Sequence, residues 1–499
     1  MRFCLPFFRR HEDYLVLGRI GPFSFFPTFR VSGQQRATHM YVLGITGQGK
    51  SKLLEHCLFQ DVTTGRGCGL LDPHTDLAHD LLSYLVGVRH FDRSENIERF
   101  VYFDPSRTDY LIPFNVLSTS YPAYTTAMNI VEAFRRTWPE SLREAPRFTN
   151  ILLASLLVLI ANRLTLVELP RLLTDKSFRE ELLANVNDEG VIAVFRYRMD
   201  KWGREEPLML ESILNKVSAF TLNPTLRLIL GQTENRLNFR RMMDEGKVLI
   251  ADLGRCDPET RKLLGSLIVT GIEQAALSRK DKPTSDRCSF YFYIDEFQDF
   301  CANEGSVMTL SQILSESRKF GLHLTLAHQT LGQMTSERMR SALGNIGTKI
   351  VFAVDRVDAE IMAKKLFLAD SEKIKHEVEN EYQQEKTHPV YYSLPEEWEK
   401  AIQTIQNLRP RICLVKAPQK KVARIHTITI PNHSVLPELE ALQTTLSRKA
   451  GEPYRRMREE IDKRKRIGQT SEVTDYEPVG QRIKPMDKVI FQAAYAPNK

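Results

Sequence analysis

A chain of 499 residues, 42% hydrophobic and 26% charged, has the composition of a globular protein long enough to bury a large core, which excludes wholesale disorder. Its formal net charge of +7 is a mild bias towards polyanions, too dilute over this length to identify one. The seven cysteines are scattered with no C-x-x-C pair, so neither a disulfide framework nor a zinc module is expected and a reducing cytoplasm suits the chain.

Residues 1–38 contain several Phe and Pro and read as an N-terminal extension of short strands and turns. Phe3, Phe7 and Phe8 at its start are candidates either for packing on the body or for touching a membrane surface or partner. A short apolar strand is expected at Met40 to Leu43, followed at once by Gly-Ile-Thr-Gly-Gln-Gly-Lys-Ser from Gly44 to Ser51 and by a helical pattern in Leu53, Leu54, Cys57 and Leu58. Further buried strands are expected at Cys68 to Leu71 and Phe100 to Phe103, each running into Asp-Pro. These form the first part of an α/β domain, residues 39–117.

Between 118 and 242 strand signals vanish and apolar residues fall at helical spacing, which predicts an all-helical insertion domain. Its longest apolar run, Ile151 to Ala161, is a buried helix, and no segment reaches the roughly 18 apolar residues of a membrane-crossing helix. Strands return at Val248 to Asp252, Phe290 to Ile294, Leu322 to Leu326 and Ile350 to Val354, with a last pair at Arg411 to Lys416 and Val422 to Ile430. This second part, 243–432, completes a doubly wound, mostly parallel sheet with helices on both faces. From 433 to 499 a polar, basic C-terminal tail is expected, with nine Lys/Arg against four Asp/Glu between Arg448 and Arg466.

The segment Gly44 to Ser51 fits G-x-x-x-x-G-K-[ST], the P-loop or Walker A pattern, at every fixed position. Glycines let such a loop curl until several backbone N–H groups face one phosphate, and the following helix adds its positive end. Gly44, Thr46, Gly47, Gln48, Gly49, Lys50, Ser51 and Lys52 are therefore the candidate nucleotide-binding residues. Lys50 would reach the β- and γ-phosphates of ATP, and the Ser51 hydroxyl would ligate Mg²⁺. The strand Phe290 to Ile294 ends in Asp295-Glu296, a Walker B-type pair. Asp295 is the second candidate Mg²⁺ residue, and Glu296 would polarise the attacking water. Gln329, at the end of a neighbouring strand, would sense the γ-phosphate or that water, and Arg318 is a candidate arginine finger reaching into a neighbouring subunit's site.

Asp72, His74, Asp76, His79 and Asp80 have the residue types of a metal cluster, but a strand-to-helix turn has the simpler use of such acids as caps, with Thr75 or Asp76 as candidates. Arg196, Arg198, Lys201 and Arg204 in the helical insertion are candidate DNA contacts.

Together, the segments His39 to Ser51, Leu71 to Leu77, Tyr293 to Phe297 and Glu316 to Gly321, with His328-Gln329, resemble the HerA–FtsK branch of P-loop motors. Within it they resemble the coupling-protein ATPases of conjugative DNA transfer and type IV secretion, over roughly residues 38–430. The resemblance implies a RecA-like fold and a homo-oligomeric, usually hexameric, ring that threads DNA through its channel at the expense of ATP. It also implies that Lys50, Ser51, Asp295, Glu296 and Gln329 work in one subunit while Arg318 acts across the interface. Coupling proteins usually begin with membrane-spanning helices and HerA proteins with an N-terminal barrel. Neither is seen here, so the expectation is a relative without the membrane helices, cytoplasmic or peripheral at the inner face of the membrane. Three other readings stay open: a secretion-channel ATPase that moves protein, a non-hydrolysing scaffold, and a HerA-like DNA-processing or defence motor. A relaxase, a nuclease and a secretion-channel component are the corresponding partner classes.

Overall fold

The computed structural model describes residues 14–142, 146–199, 206–301, 314, 317–333, 337–368, 374–379, 387–391, 393–431, 433 and 435–467. In chain order the first strands are β1 (Tyr14–Arg19), β2 (Thr28–Ser32), β3 (Met40–Leu43), β4 (Gly67–Asp72), β5 (Phe100–Phe103) and β6 (Tyr110–Leu111). After a long helical stretch come β7 (Val248–Asp252), β8 (Phe290–Ile294), β9 (Leu322–His328) and β10 (Thr348–Val351). The remainder are β11 (Ile374–Glu379), β12 (Thr387–Tyr391), β13 (Ile412–Lys416), β14 (Ala423–Thr427) and β15 (Glu452–Pro453).

Eleven of these make one sheet in the order β2-β1-β14-β13-β10-β3-β9-β8-β4-β7-β5. From β10 to β5 every neighbouring pair is parallel. Parallel strands are covered on both faces, which is why β3, β4, β7, β8, β9 and β10 are mostly apolar and buried at every position. Successive side chains alternate between two cores. Met40 and Val42 pack with Leu53, Leu54 and Leu58 of the helix Lys50–Thr63, whereas Tyr41 and Leu43 join a second core on the other face. Because the parallel strands share one direction, their carboxyl ends and the loops that follow share one edge, the place where open α/β sheets bind ligands.

Beyond β10, β13 and β14 continue the sheet in antiparallel fashion. The β1–β2 hairpin then flanks β14, with Gly18 and Arg19 opposite Thr427 and His426. The residues expected as an N-terminal extension are thus, from Tyr14 on, part of the main sheet. The strand expected at Ile350 to Val354 starts two residues earlier and stops at Val351.

Among the described residues between β6 and β7 there are helices and no strand, including Ala123–Thr137, Pro146–Ala161 and Glu206–Thr221. This helical part is joined to the sheet-bearing core by Ala123–Thr137, which lies along the helix Pro258–Leu277. Arg136 is buried in that seam, donating to Thr270 (3.1 Å) and Glu273 (3.4 Å).

The polar tail expected over 433–499 is a packed segment as far as residue 467, and residues 468–499 lie outside the described residues. Residues Leu436–Ala450 and Tyr454–Ile467 are helices that bury Leu439, Leu442, Leu446, Met457 and Ile461. Their apolar residues fall three or four apart, enough for one buried stripe on otherwise charged helices, so the mean composition hides the packing face. Gln443 donates to the Tyr102 hydroxyl at 3.2 Å, and β15 pairs with β6, tying this segment back to the first third of the chain. Phe3, Phe7, Phe8, Lys201 and Arg204 lie outside the described residues. Among the described residues no helix is long and apolar enough to cross a membrane.

Candidate nucleotide site

The loop after β3 turns through Gly47 (φ 81°) and Gly49 (φ 104°), both in the left-handed region that side-chain-bearing residues avoid. It delivers Lys50 to the first position of the helix Lys50–Thr63. Lys50 Nζ donates to the Gly44 carbonyl at 2.6 Å. Burial lowers its pKa, and Glu296 and Asp295 oppose that shift, which puts the ammonium in the field of both acids. Ser51 is exposed on the first helical turn. Lys52 is held by Asp80 (2.6 Å) and Glu55 (2.9 Å), so its side chain is committed elsewhere.

Asp295 and Glu296 leave β8 at the same sheet edge, both 5% exposed. Burial first, then Glu296 and Asp72, push the Asp295 carboxyl up to about 7, and Lys50 only partly offsets them. Its one described donor is the N–H of Glu296 at 3.1 Å. Glu296 has φ 44°, a strained conformation of the kind that persists where surrounding structure enforces it, often at functional sites. Gln329 follows β9 and bridges the halves of the site: its Nε2 donates to Glu296 Oε1 at 2.8 Å, and its Oε1 accepts from Thr46 Oγ1 at 2.9 Å. Gln298 Nε2 donates to the other Glu296 oxygen at 2.8 Å, a contact the sequence reading missed. His328, fully buried beneath the site, bonds the Tyr41 hydroxyl through Nε2, and burial lowers its pKa to about 3, keeping it neutral.

Lys50, Thr46, Asp295, Glu296 and Gln329 therefore converge. Arg318 does not join them. It precedes β9 and lies exposed at the opposite edge of the sheet, beside Lys319, Ser289 and His323. Arg196 is paired with Glu180 at 2.9 Å. Among the described residues no His/Cys/Asp/Glu group has metal-binding form, and Asp72 instead accepts the N–H groups of His74 and Ala78, both at 2.8 Å, so it caps the helix that Thr75 or Asp76 was expected to cap.

A buried carboxylate with one described donor and an exposed serine hydroxyl are oxygen ligands of the kind a hard divalent cation takes, and Ser51 and Asp295 are the residues that would hold Mg²⁺. When bound, the cation would neutralise charge on the phosphate oxygens.

Comparison with known proteins bears on the fold that holds these residues. Residues 229–428 match the family model described as the type IV secretion-system coupling protein DNA-binding domain. No curated protein matches the sequence significantly. Among solved structures, the fold is similar to the bacterial conjugative coupling protein TrwBdeltaN70 (TM-score 0.59, 18% identity, 85% of this chain and 92% of that one). The plasmid coupling protein TrwB with ADP and Mg²⁺ aligns with TM-score 0.56 and 18% identity over 82% of this chain and 89% of that one. VirB4 of Thermoanaerobacter pseudethanolicus aligns with TM-score 0.51 and 12% identity over 84% and 96%. The sheet and helical part reproduce the coupling-protein P-loop fold.

Proposed function

On the premise that the chain is a type IV coupling-protein-like P-loop protein, we propose that it is an ATPase motor that hydrolyses ATP at subunit interfaces to move DNA. The observation that carries the reading is the hydrogen-bonded chain Thr46–Gln329–Glu296, which couples the phosphate-binding loop to the base beside Lys50. In this mechanism the triphosphate replaces the Gly44 carbonyl as the partner of Lys50. Glu296, oriented by Gln329 and Gln298, accepts a proton from water as its oxygen attacks the γ-phosphorus, and the bond to the ADP oxygen breaks. The charge that develops on the transferring group is stabilised by Lys50 and by Arg318 of a neighbouring subunit in a ring. The exposure of Arg318 at the edge away from its own P-loop is what a contribution in trans requires.

DNA enters the reading through the match of residues 229–428 to the coupling-protein DNA-binding domain. Conjugative or other mobile-element DNA transfer is the proposed setting. The test is ATP turnover of the purified chain with and without single- and double-stranded DNA, with Lys50→Ala as the blank. Several-fold stimulation by either DNA form is expected. Turnover that Lys50→Ala abolishes but no DNA changes would eliminate the DNA motor and leave a secretion-channel ATPase that moves protein.

A further inference from the structure

Arg411 stands at the P-loop from the side opposite the acids, 361 residues away in sequence from Lys50. Its backbone N–H donates to the Gln48 carbonyl at 2.8 Å, and it adopts φ 70°, a left-handed conformation costly for a residue with a side chain. Its aliphatic stem presses on the loop so closely that a Cβ built at Gly49 would lie 2.9 Å from Arg411 Cδ. The guanidinium is pinned at two points by neutral groups: Nε donates to Thr427 Oγ1 at 3.0 Å and Nη2 to Thr429 Oγ1 at 2.6 Å. Among the described residues it makes no ion pair with a carboxylate, although Glu55 lies within its field. A half-exposed, planar cation, fixed in orientation without being neutralised, is what a ligand contact needs and a structural ion pair lacks.

The order of strands gives that contact a direction. Glu296 and Gln329, which the proposed function puts at the γ-phosphate, follow β8 and β9 on one side of β3. Arg411 opens β13, on the other side of β3 beyond β10. A nucleotide with its γ-phosphate at Glu296 and its phosphates in the loop has its nucleoside end directed towards Arg411. We infer that Arg411 is the nucleoside-side contact of this site, its pinned guanidinium plane serving as a stacking platform for the base and ribose of ATP. This rests on the nucleotide site proposed above and adds to it a specificity-determining residue.

The experiment is equilibrium binding of ATP, ADP and inorganic tripolyphosphate, each with Mg²⁺, to the full chain and to Arg411→Ala and Arg411→Lys, with folding followed by thermal melting. Arg411→Ala is expected to weaken ATP and ADP about tenfold while leaving tripolyphosphate within twofold, since the latter has phosphates and no nucleoside. Arg411→Lys is expected to lose nearly as much, because an ammonium keeps the charge without the plane. Equal loss for ATP and tripolyphosphate would mean that Arg411 only shapes the P-loop, and unchanged ATP binding would mean that it does nothing; either overturns the assignment. Full rescue by lysine would overturn the platform. If the wild-type chain binds none of the three, the nucleotide site itself fails, an outcome distinct from a selective failure at Arg411.

Discussion

Four adjacent parallel strands, β8, β4, β7 and β5, each meet their loops through an aspartate: Asp295, Asp72, Asp252 and Asp104. The distal three are served by their own turns or by neighbouring strand ends. Asp72 accepts two backbone N–H groups. Asp252 accepts from Thr75 Oγ1 (2.7 Å), the Tyr102 hydroxyl (3.0 Å) and the Gly254 N–H (3.3 Å). Asp104 accepts from both the N–H and the hydroxyl of Ser106. Among the described residues Asp295 has only its neighbour's N–H, and that neighbour is a second acid held at φ 44°. One sheet edge thus contains three acids that finish turns and a fourth, Asp295, with a single donor among the described residues. A buried carboxylate with so little compensation costs stability unless a ligand completes it, which marks Asp295 as a functional candidate.

The largest expected effect separates the two groups by turnover. Glu296→Gln should bind ATP but hydrolyse it at least ~100-fold more slowly, the range for loss of a general base. Asp72→Asn should keep turnover per folded molecule within about twofold. Equal losses in the two variants would erase the distinction. Steady-state ATPase rates normalised to folded protein decide it.

Stability should run the other way. Asp72→Ala removes the acceptors of the His74 and Ala78 N–H groups and should cost about 1–2 kcal/mol in chemical denaturation. Asp295→Asn, measured without nucleotide or Mg²⁺, should leave stability unchanged or raise it, because it removes a charge that burial and Glu296 disfavour. An Asp295→Asn protein destabilised as much as Asp72→Ala would show Asp295 to be structural too. A smaller effect belongs to Gln329→Ala. By freeing one Glu296 oxygen and Thr46 together, it should lower kcat about tenfold with ATP affinity little changed, and a purely affinity-based loss would count against its orienting role.

In sequence the four aspartates look alike, each an apolar run followed by an acid. The P-loop was legible because its spacing encodes backbone shape, and the parallel strands were legible because burial on both faces leaves nearly unbroken apolar runs. Asp295 stood out only through its following Glu296 and the distant lysine. Nothing local announces that Asp72 is capped by His74 and Ala78, since those bonds come from turn backbone rather than side chains. Arg411 was invisible for the complementary reason: its partners, Gln48 and Gly49, come from the far end of the chain and meet it only when β13 joins the sheet. The packed helices after 433 were hidden by charge, which records their solvent faces and drowns the few leucines that anchor them.

A finer division exists among the distal acids, and pH can expose it. Asp252 is raised to about 6 by burial, with Asp104 and Asp72 adding to the shift, while the bonds from Thr75 and Tyr102 pull it down without overcoming them. Its folded pKa therefore lies above its unfolded value near 3.8. The native state holds a proton there that the unfolded chain has released, so ionising Asp252 costs stability above pH 6, and that cost fades as pH falls towards 4. Asp252→Asn cannot ionise. Relative to this variant the wild type should gain stability as pH drops through that window, by at most about 1.4 kcal/mol per pH unit and about 3 kcal/mol in all. Paired denaturant titrations at pH 7, 6, 5 and 4 measure the difference, in which the other titrating groups largely cancel. A flat difference would mean that the three hydroxyl and amide donors already hold Asp252 ionised at low pH. The distal acids would then be fully satisfied as a set, and the contrast with Asp295 would be sharper than its neighbours' charges suggest.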